Sequence, residues 1–401
     1  MRRSTTCSRK SAGRDWGKSS AEPALCAGLY VHVPFCVRKC PYCDFYSVPL
    51  DHELQGQYLQ ALEHEIALYA GDPQFGSLRF VSLYFGGGTP SLLQPAQVAS
   101  VIGAVKSHFS LTPDAETSLE ANPATLSGSD LVELRAAGVN RVSLGVQSLQ
   151  SKELRTLGRI HSTKEAAETF CSAREAGFDN LGVDLIFGIP GQTPRTWERT
   201  LREVLRWRPE HVSTYALTIE PQTPLAREVA RGAIAPVSAE TERRMYLFAH
   251  ELLTAHGYEH YEISNYALPG RRCRHNELYW KRHPYLGLGP SAHSFVGNRR
   301  WWNHKDLGVY CQALAQRTLP VAGSEFLSPE QQHLETLMLS LRTAEGLDMR
   351  RLPADMRGSL ARRVAQLRRT SEAPLLQDDG MHIRLTPHGF WLHEEVCRLL
   401  S

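Results

Sequence analysis

The sequence predicts an α/β fold built on a parallel sheet that stops short of a closed barrel, followed by a smaller α+β domain. Three observations carry this. From Leu29 onward, six short β-rich runs alternate with amphipathic helical stretches. The connectors between them hold Gly, Pro and Asn. After about residue 235 the alternation gives way to a different pattern. Strands that each feed a helix pair in parallel through right-handed crossovers. Six units are too few for an eight-fold barrel, which leaves a partial barrel or an open doubly wound sheet.

The runs are "LYVHVPF" (29–35), "FVSLYFG" (80–86), "TSLEAN" (117–122), "RVSLGV" (141–146), "LGVDLIFG" (181–188) and "HVSTYALTI" (211–219). Between them, "LQGQYLQALEHEIALYA" (54–70) and "TWERTLREVLRW" (196–207) have helical periodicity. A further helix, "ETERRMYLFAHELLTAHG", leads into an aromatic, Gly-rich region from Tyr258 to Trp302. Ser328 then caps "SPEQQHLETLMLSLR". In the basic segment 349–369, Leu360, Val364 and Leu367 give one apolar face, and the arginines lie elsewhere. That favours a solvated helix face over a nucleic-acid surface. Asp379-Gly380 between two apolar runs signals a hairpin. Helix, helix, hairpin, helix is a winged-helix outline. The expected organisation is a basic, disordered tail over 1–28, a barrel over 29–255, a linker region over 256–325 and the winged-helix-like domain over 326–401.

The chain has 401 residues, 42% hydrophobic content and a net charge of +3. The charge is too small to imply nucleic acid as a partner. The first 28 residues hold no apolar run of signal-peptide type, and no stretch reaches the length of a spanning helix. The expected location is therefore a reducing cytoplasm, with peripheral membrane association and organellar import as alternatives. Among nine cysteines, Cys36, Cys40 and Cys43 cluster as C-x3-C-x2-C just past the first strand. In a reducing compartment such clusters bind metal rather than each other. A cubane cluster takes one thiolate per iron, so three ligands leave one iron open. A structural zinc wants four, with His32 as the remaining candidate. "YFGGGTPSLL" (84–93) ends the second strand with a Gly triplet, which is a ligand-approach loop or a tight turn. Glu120, Gln147, Arg159 and Asp184 sit at successive strand ends. Together they favour a ligand-lined cavity over isolated core polar groups.

The C-x3-C-x2-C motif resembles the signature of radical S-adenosylmethionine (SAM) enzymes. In that superfamily a 4Fe–4S cluster binds SAM at its open iron and cleaves it to a 5′-deoxyadenosyl radical. The resemblance implies a partial (β/α)6 radical SAM barrel with the cluster at its mouth. "YVHVPFCxxxCxYC", "GGGTP", "ExNP", "NRVSLGVQS", "LGRxH" and "DLIFGIPGQT" follow the order of one branch. It holds oxygen-independent coproporphyrinogen III oxidase (HemN) and the heme chaperone HemW. The family implies SAM contacts at Tyr30, Tyr42, Gly87, Gly88, Thr89, Glu120, Gln147, Arg159 and Asp184.

Two features separate the siblings. The oxidase carries a further cysteine where this chain has Phe45. "CRHNELYW" resembles the HNxxYW motif linked to heme binding in the chaperones, which implicates His275, Asn276, Tyr279 and Trp280. His is a good axial ligand to heme iron. The bland reading is a capped turn at His275-Asn276 with Tyr279 and Trp280 in the core. His293 in "YLGLGPSAHSF" is a further ligand candidate, and the region is expected against the barrel mouth. The resemblance implies a heme chaperone carrying a 4Fe–4S cluster, SAM and heme. Its partners would be recipient heme proteins, some at a membrane, and an electron donor for the cluster. Anaerobic decarboxylation of coproporphyrinogen III is the alternative.

Overall fold

The computed structural model describes residues 26–401 apart from residue 372. The basic tail expected over 1–28 therefore lies outside the described residues up to residue 25. Six β/α units follow one another. Their strands are β1 (Cys26–Val33), β2 (Arg79–Gly87), β3 (Leu111–Ala121), β4 (Arg141–Gln147), β5 (Leu181–Phe187) and β6 (His211–Ala216). Their helices are α1 (His52–Ala70), α2 (Pro95–His108), α3 (Gly128–Ala137), α4 (Thr163–Glu175), α5 (Pro194–Trp207) and α6 (Ala239–Ala255). All six strands pair in parallel in chain order. Their near-continuous burial reflects a sheet covered on both faces. Local chemistry fixes the helix starts. Asp51 accepts from the Glu53 and Leu54 amides, and Ser127, Ser162 and Thr193 each form a capping box.

The aromatic region extends the sheet at both edges. β7 (Glu259–Glu262) and β8 (Asn265–Ala267) form a hairpin antiparallel to β6. Helix α7 (Arg274–Trp280) leads to β9 (Tyr285–Leu288), which pairs in parallel with β1 and so adds a parallel strand that the sequence patterning did not single out. β10 (His293–Val296), β11 (Arg299–Asn303) and β12 (Val321–Phe326) continue antiparallel from β9. The 12 strands run β12-β11-β10-β9-β1-β2-β3-β4-β5-β6-β8-β7, and the two edges do not pair, so the barrel is partial. Helix α8 (Leu307–Ala315) packs on α1. Buried Glu65 of α1 ties these parts together, accepting from the Gly289 amide at 2.8 Å, Asn303 Nδ2 at 2.6 Å and the Tyr310 hydroxyl at 2.6 Å.

The C-terminal unit is α9 (Pro329–Leu341), α10 (Ala354–Thr370) and α11 (His393–Leu400) around a small sheet of β13 (Leu347–Asp348), β14 (Leu376–Asp378) and β15 (His382–Leu385). The hairpin expected at Asp379-Gly380 joins β14 to β15, with Gly380 at φ +84°. Leu360, Val364 and Leu367 are buried, as their spacing implies. Ser328 caps α9 by accepting from the Gln331 amide.

Candidate functional site

A cavity of about 500 Å³ lies inside the curl of the sheet, lined from both ends of the strands. Past β1, the chain forms the loop that carries Cys36, Cys40 and Cys43, which are half-buried and all line the cavity. The loop is pinned by Cys43 N–H donating to the Cys40 carbonyl (3.1 Å) and Leu50 N–H to the Cys36 carbonyl (3.0 Å). Lys39 Nζ holds the Phe45 carbonyl at 2.8 Å, and Arg38 holds the Gly158 carbonyl at 2.7 Å. The Thr89 hydroxyl faces Cys36 Sγ at 3.5 Å, and Arg159 Nη1 faces Cys40 Sγ at 3.7 Å. These donors suit thiolates. Burial raises the pKa of the Cys43 thiol, so loading metal there displaces a proton. Among the described residues no group of three His, Cys, Asp or Glu side chains is arranged to hold a single metal ion. Thiols spread along a loop suit a cubane, where each meets a different iron. His32 is not available as a zinc ligand: Nδ1 meets the Tyr30 hydroxyl at 3.1 Å and Nε2 the Tyr46 carbonyl at 3.1 Å.

The structure brings most of the other expected residues to the same cavity. Tyr42, Gly87, Gly88, Thr89, Glu120, Gln147, Arg159 and Asp184 all line it. Tyr30 does not; its ring lies against the stacked Tyr84 and His275 rings, and its hydroxyl bonds His32. The Gly triplet has a packing cause as well. A Cβ on Gly88 would lie 2.7 Å from the Phe35 carbonyl oxygen and 2.9 Å from that of Val33, and Gly87 sits at φ +110° against the His32 ring. Glu120 accepts from the Tyr84 hydroxyl at 2.9 Å and the Gly87 amide at 3.3 Å. Burial pushes its pKa up to about 7, against those hydrogen bonds and with the help of Asp184. Asp184 accepts from Ser143 Oγ at 3.0 Å, and burial raises its pKa too. Gln147 occupies φ +64°, an unusual conformation for a non-glycine residue, and its Oε1 is buried without a partner. Arg159 Nη2 bonds the Gly145 carbonyl at 2.8 Å, while its Nε has no partner. Unsatisfied polar atoms around a cavity are what a polar ligand would complete. SAM, with its amino, carboxylate and ribose groups, fits that donor and acceptor set.

The "CRHNELYW" segment departs from expectation. It does not lie at the mouth, where Gln147 and the cysteine loop sit. Helix α7 closes the opposite end of the barrel, because His275 reaches Ser82 near the start of β2 and Arg274 pairs with Asp114 near the start of β3. His275 is 1% exposed, bonded through Nδ1 to Ser82 Oγ at 2.9 Å and through Nε2 to the Tyr279 hydroxyl at 2.8 Å. Burial holds its pKa down at about 3, so it is neutral. Asn276 lines the cavity floor, whereas His275, Tyr279 and Trp280 do not line it. Trp280 packs against Tyr261 and under the Arg342 guanidinium. His293 is exposed on β10, stacked on Trp302 and away from the cavity.

Two lining residues stand outside the strand-end pattern. Arg141 and His211 open β4 and β6, and a charged or polar residue beginning an apolar strand is the signal that marks them. The rim holds Val37, Phe45 and Ile160, all exposed, beside Arg38 and Lys39.

Residues 30–204 match the family model of the radical SAM superfamily, and residues 327–392 match that of the HemN C-terminal domain. A Mycobacterium tuberculosis protein named heme chaperone HemW is 39% identical over 376 residues, spanning 93% of this chain and 94% of the relative. Its Bacillus subtilis namesake is 33% identical, spanning 92% and 97%. Among solved structures, Escherichia coli coproporphyrinogen III oxidase (HemN), described as a radical SAM enzyme, superposes with a TM-score of 0.80 at 26% identity, covering 95% of this chain and 91% of that one.

Proposed function

The chain belongs to the HemW family of the radical SAM superfamily, and from that premise we propose that it is a heme chaperone. It binds heme and passes it to recipient heme proteins. Its cofactors are a 4Fe–4S cluster and SAM. Cys36, Cys40 and Cys43 hold the cluster. Gly87, Gly88, Thr89, Glu120, Gln147, Arg159 and Asp184 bind SAM beside it, with Tyr42 against the loop. Tyr30 acts from behind, by fixing Tyr84 and His32. A cluster held at the cysteine loop would supply an electron to SAM bound at its open iron. The protein's own residues supply the hydrogen-bond frame in a pocket open on one side.

The single observation that carries the reading is the near full-length identity to proteins named as heme chaperones. Phe45 at the mouth, 64% exposed, supports it against the oxidase pattern. Heme ligation by His275 requires one of its ring nitrogens to leave Ser82 or Tyr279, so we assign the resting segment His275, Asn276, Tyr279 and Trp280 a closing role at the floor. Heme binding by that segment would proceed through an opened state. Recipients at a membrane surface belong to the same proposal. No helix among the described residues is long and apolar enough to cross a membrane.

The second reading, anaerobic decarboxylation of coproporphyrinogen III, rests on the likeness to HemN over the whole fold. One assay separates the two. Anaerobic, cluster-loaded protein is given heme in one arm, and coproporphyrinogen III with SAM and reductant in the other. A heme chaperone develops a Soret band and releases no carbon dioxide. Catalytic carbon dioxide and protoporphyrinogen overturn the proposal.

A further inference from the structure

The floor of the cavity holds a buried cation with no counter-ion in contact. Arg141 is 2% exposed, and among the described residues no carboxylate comes within ion-pair distance of it. Its Nη1 donates to Asn180 Oδ1 at 3.0 Å and to the Arg271 carbonyl at 3.5 Å, both neutral acceptors. Glu116 and Asp184 lie near enough to favour its charge from a distance, but neither touches it. Glu116 faces the Cys273 thiol, the His275 amide and Ser118, and Asp184 is held by Ser143. A buried guanidinium without a contacting anion is costly, and it is a standing demand for one.

His211 is the second, independent sign. It lines the same floor at 2% exposure, and its Nδ1 is buried with no partner. Its Nε2 meets the Tyr261 hydroxyl at 2.7 Å, and that hydroxyl accepts the Cys273 amide at 3.3 Å. The hydroxyl has no other acceptor among the described residues, so its proton is assigned to Nε2 and the imidazole proton of neutral His211 to Nδ1. An unsatisfied donor and a cation with no contacting anion share one chamber, which Asn276 also lines.

We propose that Arg141 and His211 form a carboxylate-binding subsite at the cavity floor, taking the end of an aliphatic acid arm that reaches down from the mouth. A strand rise of about 3.3 Å per residue puts Arg141 roughly 20 Å along β4 from Gln147. The carboxylate of a SAM molecule held beside the cysteine loop is too far away to be the occupant. Resting on the heme reading, the occupant is a tetrapyrrole propionate; independently of it, any small alkyl carboxylate has the required chemistry.

The test uses the cluster-loaded full chain, its Arg141→Gln and Arg141→Lys variants, and His211→Gln, each first shown to be folded by circular dichroism. Equilibrium dialysis with labelled propionate probes the subsite alone. Soret titrations with heme and with heme dimethyl ester probe the tetrapyrrole. Wild type should bind one propionate, about tenfold weaker in Arg141→Gln and partly restored in Arg141→Lys, as expected for a charge-assisted pair. It should also prefer heme over the diester, and Arg141→Gln should lose that preference. If Arg141→Gln does not fold, His211→Gln gives the same comparison with a smaller loss. Propionate retention by a chain that takes up no heme supports the subsite and removes the heme reading. Equal propionate binding by wild type and Arg141→Gln, or none by wild type together with an unchanged preference for heme over the diester, overturns the subsite.

Discussion

Glu120 stands where the Gly loop, Tyr84 and the cavity meet, and burial sets its protonation near neutrality. A carboxyl with a pKa of about 7 is half-charged at neutral pH. SAM is cationic at its sulfonium and amino groups, so the ionised form attracts it. SAM affinity is therefore expected to rise between pH 6 and pH 8, and Glu120→Gln to abolish that rise; calorimetric titrations across the range check it. Cys36→Ala removes one of three ligands, and each of the three protein-ligated irons needs its own thiolate. Anaerobic reconstitution is expected to leave the variant with little bound iron and sulfide, and with SAM binding lost, while its circular dichroism stays native. The cysteines and the strand-end polar residues were legible in the sequence, because periodicity sets them apart from their apolar neighbours. Arg141 and His211 were not. A polar residue opening a strand looks like an ordinary strand boundary until the sheet curls around it.

At the scale of elements, the six β/α units follow from alternation alone, with edges that moved by a few residues. β9 was illegible. "YLGL" is four residues long, and its pairing with β1 is a long-range contact that local pattern does not encode. Helix α7 was placed at the wrong end for a related reason. Local sequence does not say which end of a barrel a returning segment covers. The Gly triplet is tighter than a ligand loop requires. Gly88→Ala would drive a Cβ into the Val33 and Phe35 carbonyls, which are backbone and cannot swing away. The expected cost is about 1–3 kcal/mol in urea unfolding, with weakened SAM binding because Cys36 lies on the displaced loop.

For the whole molecule, stability is coupled to pH through the buried acid that joins α1 to the β9–β11 edge. Glu65 has a folded pKa of about 7 against an ordinary 4.5. The folded chain thus holds that proton more tightly than the unfolded chain. Its contribution is complete below about pH 4.5 and is lost as pH rises through about 7. The loss is on the order of 3 kcal/mol. Glu65→Gln is expected to flatten urea stability over that window, and a slope unchanged from wild type would contradict the assignment. At the junction of the units, buried Glu262 meets Arg342 at 2.8 Å, next to the Tyr261 that backs His211. The C-terminal unit thus reaches the cavity floor through two adjacent residues of β7.

The central claim is heme delivery, and its most direct measurement is transfer. The cluster-loaded chain is charged with one equivalent of heme and mixed with an apo heme protein, and the Soret band is followed as the two are separated. Heme is expected to bind this chain and then appear in the recipient faster than from free heme in solution. A chain that never acquires a Soret band, or that keeps its heme while the recipient stays empty, would contradict it.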